Sequence, residues 1–238
     1  RQMNEVDFAA SLSGEFRGAQ DAGWSTTITA SEVFEEISAL LKESKVFSKA
    51  ELRTMLMLYC QLAEAGGVYE TLKNIMGVIT EKPYLLWPFK DLVRVKKESR
   101  KVIGPNANAT FKDLAISAKA VGMSRLCSLL EEVFRDDVRN AISHADYVIW
   151  DDGLRIRNRN GGHANRIEFN ELSEILGRGI TFFSLLEDYR RNAVHSFNPP
   201  KTIVARFSMN PPMPVEVSFD PKTGGFGLSC SSPGPVVT

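Results

Sequence analysis

The stretch DDVRNAISHADYVIWDDGLRIRNR, residues 136 to 159, decides how the chain is read, because its hydrophobic period changes halfway along. Before His144 the apolar residues Leu130, Phe134, Val138, Ala141 and Ile142 recur at helical spacing, and Ala145 falls on the same side. After it comes the β-branched and aromatic run Tyr147 to Trp150, then the turn signal Asp151-Asp152-Gly153, then a second run from Leu154 to Ile156. One long helix is therefore expected over SRLCSLLEEVFRDDVRNAISH. A β-hairpin or three-strand insert should follow at about residues 146–169, with NGG at 160–162 as a second turn.

On a helix wheel, at about 100° per residue, Asp136, Arg139, Asn140, Ser143 and His144 fall away from the apolar stripe. Arg139 and His144 mark the two ends of this polar arc, and Asn140 and His144, at i and i+4, are neighbours. The arc admits a plain reading: an imidazole at a helix C-terminus complements the macrodipole, and Arg139 is a surface side chain. The same separation recurs between Arg190 and His195 in RRNAVH, so spacing alone does not choose between a site and an accident.

Working outward, residues 1–28 lack apolar periodicity and read as an irregular leader. Thr29 and Glu32 stand in capping-box spacing before a first helix carrying Val33, Ile37, Leu40 and Leu41. Ser48 and Glu51 repeat the box and open what should be the longest helix, continuing to about Lys82, with Gly66 and Gly67 marking a close approach or a bend. Pro83 and Pro88 break it. The run RVKKESRK, with Arg94, Lys96, Lys97, Arg100 and Lys101, is either a solvated segment or a phosphate-contacting patch. A short helix capped by Thr110 comes next. Beyond the insert, Asn170 caps a last long helix that Pro199 and Pro200 stop, and the tail holds two or three strand-like runs. Three parts result: a leader at 1–28, a helical domain at 29–198 and a β-rich extension at 199–238. On the insert, Arg155, Arg157 and Arg159 should share one strand face.

Composition narrows the functional classes. Lys plus Arg and Asp plus Glu number 29 each, so any pull on nucleic acid must come from a local cluster. Cys60, Cys127 and Cys230 are scattered, odd in number and without ligand spacing, which points to reduced thiols in a cytoplasmic protein with no structural metal. The first thirty residues hold no signal-peptide core, and GITFFSLLEDY is too short to span a bilayer, so no membrane partner is expected. There is no phosphate loop, GxSxG elbow or HExxH, and no cofactor is expected.

With the preceding MLYCQLAEAGGVYETLKNIM, the stretch VRNAISHADYVIWDDGLRIRNR resembles the HEPN superfamily over roughly residues 30 to 196. The family's hallmark is an Arg, often followed by Asn, Asp or His, with a His about five positions on. It maps onto Arg139, Asn140 and His144, whereas Arg190 lacks the following amide and is given, with His195, a structural role. The resemblance implies a mainly α, HEPN-like helical bundle with a small β-hairpin insert after the motif helix and a short β-rich tail. It also implies a metal-independent endoribonuclease, a toxin or defence effector, cleaving RNA by attack of the 2′-hydroxyl; the alternative is a non-catalytic dimeric module binding RNA, a nucleotide or a protein. In the first case His144 shuttles protons, since an imidazole works as acid or base near neutral pH. Arg139 holds phosphate and opposes its developing charge, and Asn140 orients the imidazole or touches phosphate. Arg155, Arg157, Arg159, Lys96 and Lys97 become backbone contacts. One motif supplies one His, so a homodimer with facing motifs is expected. Some toxins of this type pair with an antitoxin nucleotidyltransferase that modifies a Tyr two positions after the His. Here Tyr147 is three positions after, which makes it a modification candidate with a competing role in packing the hairpin.

Overall fold

The computed structural model describes residues 5–13, 26–43, 46–206 and 211–230. Eight helices and eight strands lie among them: α1 (Glu5–Ser13), α2 (Thr26–Glu43), α3 (Lys49–Ala63), α4 (Gly66–Ile79), β1 (Arg94–Val95), β2 (Val102–Ile103), α5 (Ala107–Ala120), α6 (Ser124–Glu132), α7 (Asp136–Ser143), β3 (Tyr147–Trp150), β4 (Gly153–Ile156), β5 (Asn165–Ile167), α8 (Phe169–His195), β6 (Lys201–Ala205), β7 (Met213–Asp220) and β8 (Gly225–Cys230). Among the described residues about 56% are helical and 16% lie in strands of three separate antiparallel sheets, which makes this a mixed α/β protein and corrects the expected mainly α bundle.

The helix pair α3 and α4 shows where local signals suffice and where they do not. Ser48 and Glu51 form both halves of the predicted box: the hydroxyl accepts the Glu51 N–H at 3.2 Å, and the carboxylate accepts the Ser48 N–H at 2.7 Å. The expected longest helix, however, breaks at Glu64–Ala65, and α8 takes that place with 27 residues. Ala65, at the start of α4, has no side chain to cap with. The Gly67 N–H instead donates to Thr26 Oγ1 on α2 at 2.9 Å, and a Cβ at Gly67 would lie 2.6 Å from that oxygen. Thr26 is thus the first residue of α2, and Thr29 lies inside the helix, away from the expected cap. Likewise Asn106 caps α5 by accepting the Ala109 N–H, and Thr110 is buried within it.

The helix expected to run unbroken into the motif is two helices. Phe134 packs between Tyr59 and Phe111, with ring centroids 5.2 and 5.1 Å away, and the Arg135 N–H donates to Tyr59 Oη at 2.9 Å. Those contacts pull residues 133–135 out of helical register, and α7 starts afresh at Asp136.

The main core lies among α2–α8 and receives Ile149, Leu154, Ile156 and Ile167 from the sheet β3-β4-β5. Gly153 follows the two-residue turn between β3 and β4; a Cβ there would stand 2.2 Å from the Ile167 carbonyl oxygen, so only glycine lets β5 pair. A second core gathers Ala9 and Leu12 of α1, Val194 and Phe197 at the end of α8, and Ile203, Ala205, Val215 and Val217 of the sheet β6-β7-β8. The expected irregular leader therefore contains a packed helix: Glu5 Oε2 accepts the Val204 N–H at 2.8 Å, and Asp7 accepts the Tyr84 N–H at 3.0 Å. The rest of that leader, at 1–4 and 14–25, lies outside the described residues, as do 207–210 and 231–238 of the tail.

Candidate functional site

Along α7 the apolar positions fall where the wheel puts them: Val138, Ala141 and Ile142 are buried. Arg139 is the correction. Its side chain is 6% exposed, because the helix is covered on this side by the α3–α4 junction and by the first turn of α5. The guanidinium donates from Nη1 to Glu64 Oε1 at 2.7 Å and from Nη2 to Asn108 and to Asp136 Oδ1, the last at 3.2 Å. Asp136 Oδ1 also accepts from Asn140 Nδ2 at 2.8 Å. Asn140 itself is exposed, so the arc is a network running from a buried cation to an exposed amide.

His144 is exposed and caps the C-terminus of α7, its backbone N–H reaching the Asn140 carbonyl at 3.1 Å. Ala145 follows at φ 55, and the Ala145 and Asp146 N–H groups close back on Ile142 and Ala141 at 3.2 and 2.9 Å, the bonds of a Schellman cap. This turn leads straight into β3 and sets His144 near Asp146. Asp146 accepts from Arg159 Nε at 2.7 Å and pairs with Arg157 at 3.7 Å. The Arg159 hydrogen bond, then the charges of Arg159, Arg157 and His144, hold its carboxyl below the usual range. The motif's two ends thus belong to different neighbourhoods: Arg139 to a buried carboxylate–amide network, His144 to an exposed cluster with Asp146, Arg157 and Arg159.

The three strand arginines do not share a free face. Only Arg155 is within a strand, and it pairs with Asp152 at 3.0 Å; Arg157 and Arg159 lie past the end of β4 and are drawn to Asp146. Tyr147 is half-buried against the main core and paired with Ile156, as a hairpin packing residue would be. Lys96 and Lys97 stand exposed in the turn between β1 and β2. Arg190 pairs with Glu187, and His195 packs on the Phe219 ring at 5.0 Å; both line a cleft beside the second core.

Sequence reasoning missed Trp150. It is exposed on the outer face of β3, with the Arg155 guanidinium 5.5 Å and the Lys49 ammonium 6.0 Å from its ring. Strand alternation was the available signal, since Ile149 points inward and its neighbours outward. Glu64 and Asn108 were also missed, and no local pattern marks them.

Behind the motif, Arg135 chelates Asp137 at 2.8 and 2.6 Å and reaches Glu171 at 3.2 Å. Burial alone would raise the Asp137 carboxyl, but the Arg135 hydrogen bond and charge win and lower it. Burial pushes the Cys60 thiol up to about 11, with the Arg139 charge opposing and Glu64 adding to it. Among the described residues, no three His, Cys, Asp or Glu side chains gather where they could hold a metal ion, and no helix is long and apolar enough to cross a membrane. No protein-family model, no curated protein and no solved structure matches this chain.

Proposed function

We propose that the chain is an endoribonuclease of the HEPN chemical type, in which His144 moves protons at the ribose 2′-hydroxyl or the leaving 5′-oxygen. The observation that carries the reading is the placement of His144: an exposed imidazole at the end of α7 near Asp146, the one carboxylate that, among the described residues, pairs with the Arg157 and Arg159 guanidinium groups. A phosphodiester competing with Asp146 gains both cations within reach of the imidazole. Arg139, nearly enclosed, then acts as a positioning residue: its bond to Asp136, which in turn holds Asn140, fixes the helix turn that presents His144. One chain offers one imidazole at this site, so complementary acid and base roles call for a second copy, and a homodimer is part of the proposal. A cytoplasmic setting fits the free thiols of Cys60 and Cys127.

A second reading, a non-catalytic module that binds RNA, a nucleotide or a protein, is favoured by one specific fact: Arg139 is already met by Glu64 and Asp136 and is not presented to a phosphate. The test is cleavage of labelled RNA by the full chain in the presence of EDTA, with the 3′ ends analysed. Ends bearing 2′,3′-cyclic phosphate, lost with His144→Ala, are expected. Cleavage that persists in His144→Ala, or that needs magnesium, overturns the first reading; absent cleavage with retained RNA binding establishes the second.

A further inference from the structure

We propose that the β1–β2 hairpin is an arm that holds the sugar–phosphate backbone of single-stranded RNA and leads it to α7; the inference rests on the RNA reading above.

The charge distribution separates the arm from the other arginines. Between Arg94 and Lys101 stand five cations and one carboxylate, Glu98, in a chain whose formal net charge is zero. Among the described residues, none of the five enters an ion pair. In contrast, Arg155, Arg157, Arg159 and Arg166 of the β3–β5 region are each held by Asp146 or Asp152. A polyanion gains more from unpaired cations than from cations it must first take from a carboxylate.

The arm is also built to stay in one place while exposing these charges. Its root is tied down: Asn74 clasps Leu85 through both backbone groups at 3.0 and 2.9 Å, and Phe89 enters the main core. Past that root, residues 93–104 are exposed without interruption. Val95 pairs with Val102 and Arg94 with Ile103, and the Lys96 N–H donates to the Lys101 carbonyl at 3.0 Å, so Lys97 to Arg100 form the tip. Cations at the tip and valines toward the root oppose bilayer insertion, which would bury the charges first. They suit a phosphate backbone approaching from outside.

The arm's far strand runs into the Arg139 network. From Ile103 the chain passes through Gly104 and Pro105 to the start of α5, where Asn108 accepts a hydrogen bond from Arg139. A strand of RNA followed along the arm toward its root would therefore reach the first turn of α5, whose Asn108 ties it to α7.

The experiment uses the full chain and a short fluorescent 2′-O-methyl oligouridylate, which has no 2′-hydroxyl nucleophile, so anisotropy reads binding without cleavage. Five phosphate contacts to a single strand predict a log–log salt slope of roughly −3.5, about a hundredfold loss of affinity between roughly 50 and 200 mM salt. The quadruple variant Lys96→Glu, Lys97→Glu, Arg100→Glu and Lys101→Glu is expected to bind about tenfold weaker or worse at low salt, with a flattened slope. Lys96→Ala with Lys97→Ala should give an intermediate loss, and circular dichroism checks that both variants fold. Equal affinity of wild type and quadruple variant overturns the inference, as does no binding by wild type, or arm-dependent binding only to phosphatidylserine vesicles. A protein that binds through the arm and cleaves nothing sinks the ribonuclease reading and leaves the arm's role standing. Cleavage with an arm that binds nothing does the reverse.

Discussion

Arg139 and Glu64, 75 residues apart in the chain, meet at 2.7 Å with the guanidinium almost wholly enclosed and the carboxylate about half exposed. The asymmetry predicts unequal mutants. Arg139→Ala removes a group that ties α7 to both the α3–α4 junction and α5, and should cost about 2–4 kcal/mol. Glu64→Gln leaves Asp136 and Asn108 on the guanidinium and should cost about 1 kcal/mol or less. Urea denaturation of the two variants checks the order; a Glu64→Gln loss equal to that of Arg139→Ala would contradict it.

Arg139→Lys separates charge from shape. A lysine keeps the positive charge but reaches only one of three partners well, having no planar fork. It should recover less than half of the Arg139→Ala loss in thermal stability, and if Arg139 is a positioning residue, kcat should fall while KM for RNA stays nearly constant. Rescue of kcat to the wild-type value by Lys would argue for a bare charge effect.

The aromatic seam against α8 admits no extra atom. A Cβ at Gly179 would lie 2.7 Å from Tyr59 Cε2 and 2.9 Å from Phe134 Cε1, both on rings packed into the main core. Gly179→Ala should destabilise by about 1–3 kcal/mol. Gly177→Ala, two positions earlier with open space around it, should stabilise α8 by up to about 1 kcal/mol. Parallel melts of the two alanine variants are the check.

These positions also show what sequence can convey. The Ser48–Glu51 box was legible because both partners lie within one turn, and the β3–β5 sheet because its turns carry their own residues, Gly153 at φ 144 and Gly161 and Gly162 at φ 85 and 93. The break before α7 was not, since its cause, Tyr59 Oη taking the Arg135 N–H, sits 76 residues away. Arg139 was assigned to the exposed arc because a helix wheel knows one helix; its burial comes from Glu64 and Asn108 on two others. The three sheets are short and apart, so no one stretch announces a mixed α/β chain.

Stability should fall at both ends of the pH scale, for different groups. Asp137 has a lowered carboxyl pKa, so its contribution is present above the unfolded value of about 4 and is lost as pH drops through the folded one. Cys60, raised to about 11, works the other way: its contribution is complete below the unfolded thiol value of about 8.5 and is lost as pH rises toward 11. Tyr59 and Tyr69, raised chiefly by burial, extend the alkaline loss. Melting temperatures across this range should show the alkaline fall reduced in Cys60→Ala and the acid fall reduced in Asp137→Asn, each measured against its own plateau.

The cap after the motif can be improved. Ala145 holds φ 55, where an L side chain costs about 1 kcal/mol and glycine nothing, so Ala145→Gly should raise stability by roughly 0.5–1 kcal/mol. If His144 depends on this turn only for its position, cleavage should be unchanged in the same variant.

The bond from Val204 to Glu5 spans 199 residues, which gives the molecule a calendar. At elongation rates of roughly 5–20 residues per second, α1 leaves the ribosome roughly 10–40 s before the strand that completes its packing exists. Ala9 and Leu12 have no β6 or β7 to cover them in that interval, while the larger core can already close around α2 to α8. The small second core thus matures after the larger one, and is the part a chaperone or protease meets while it is still incomplete.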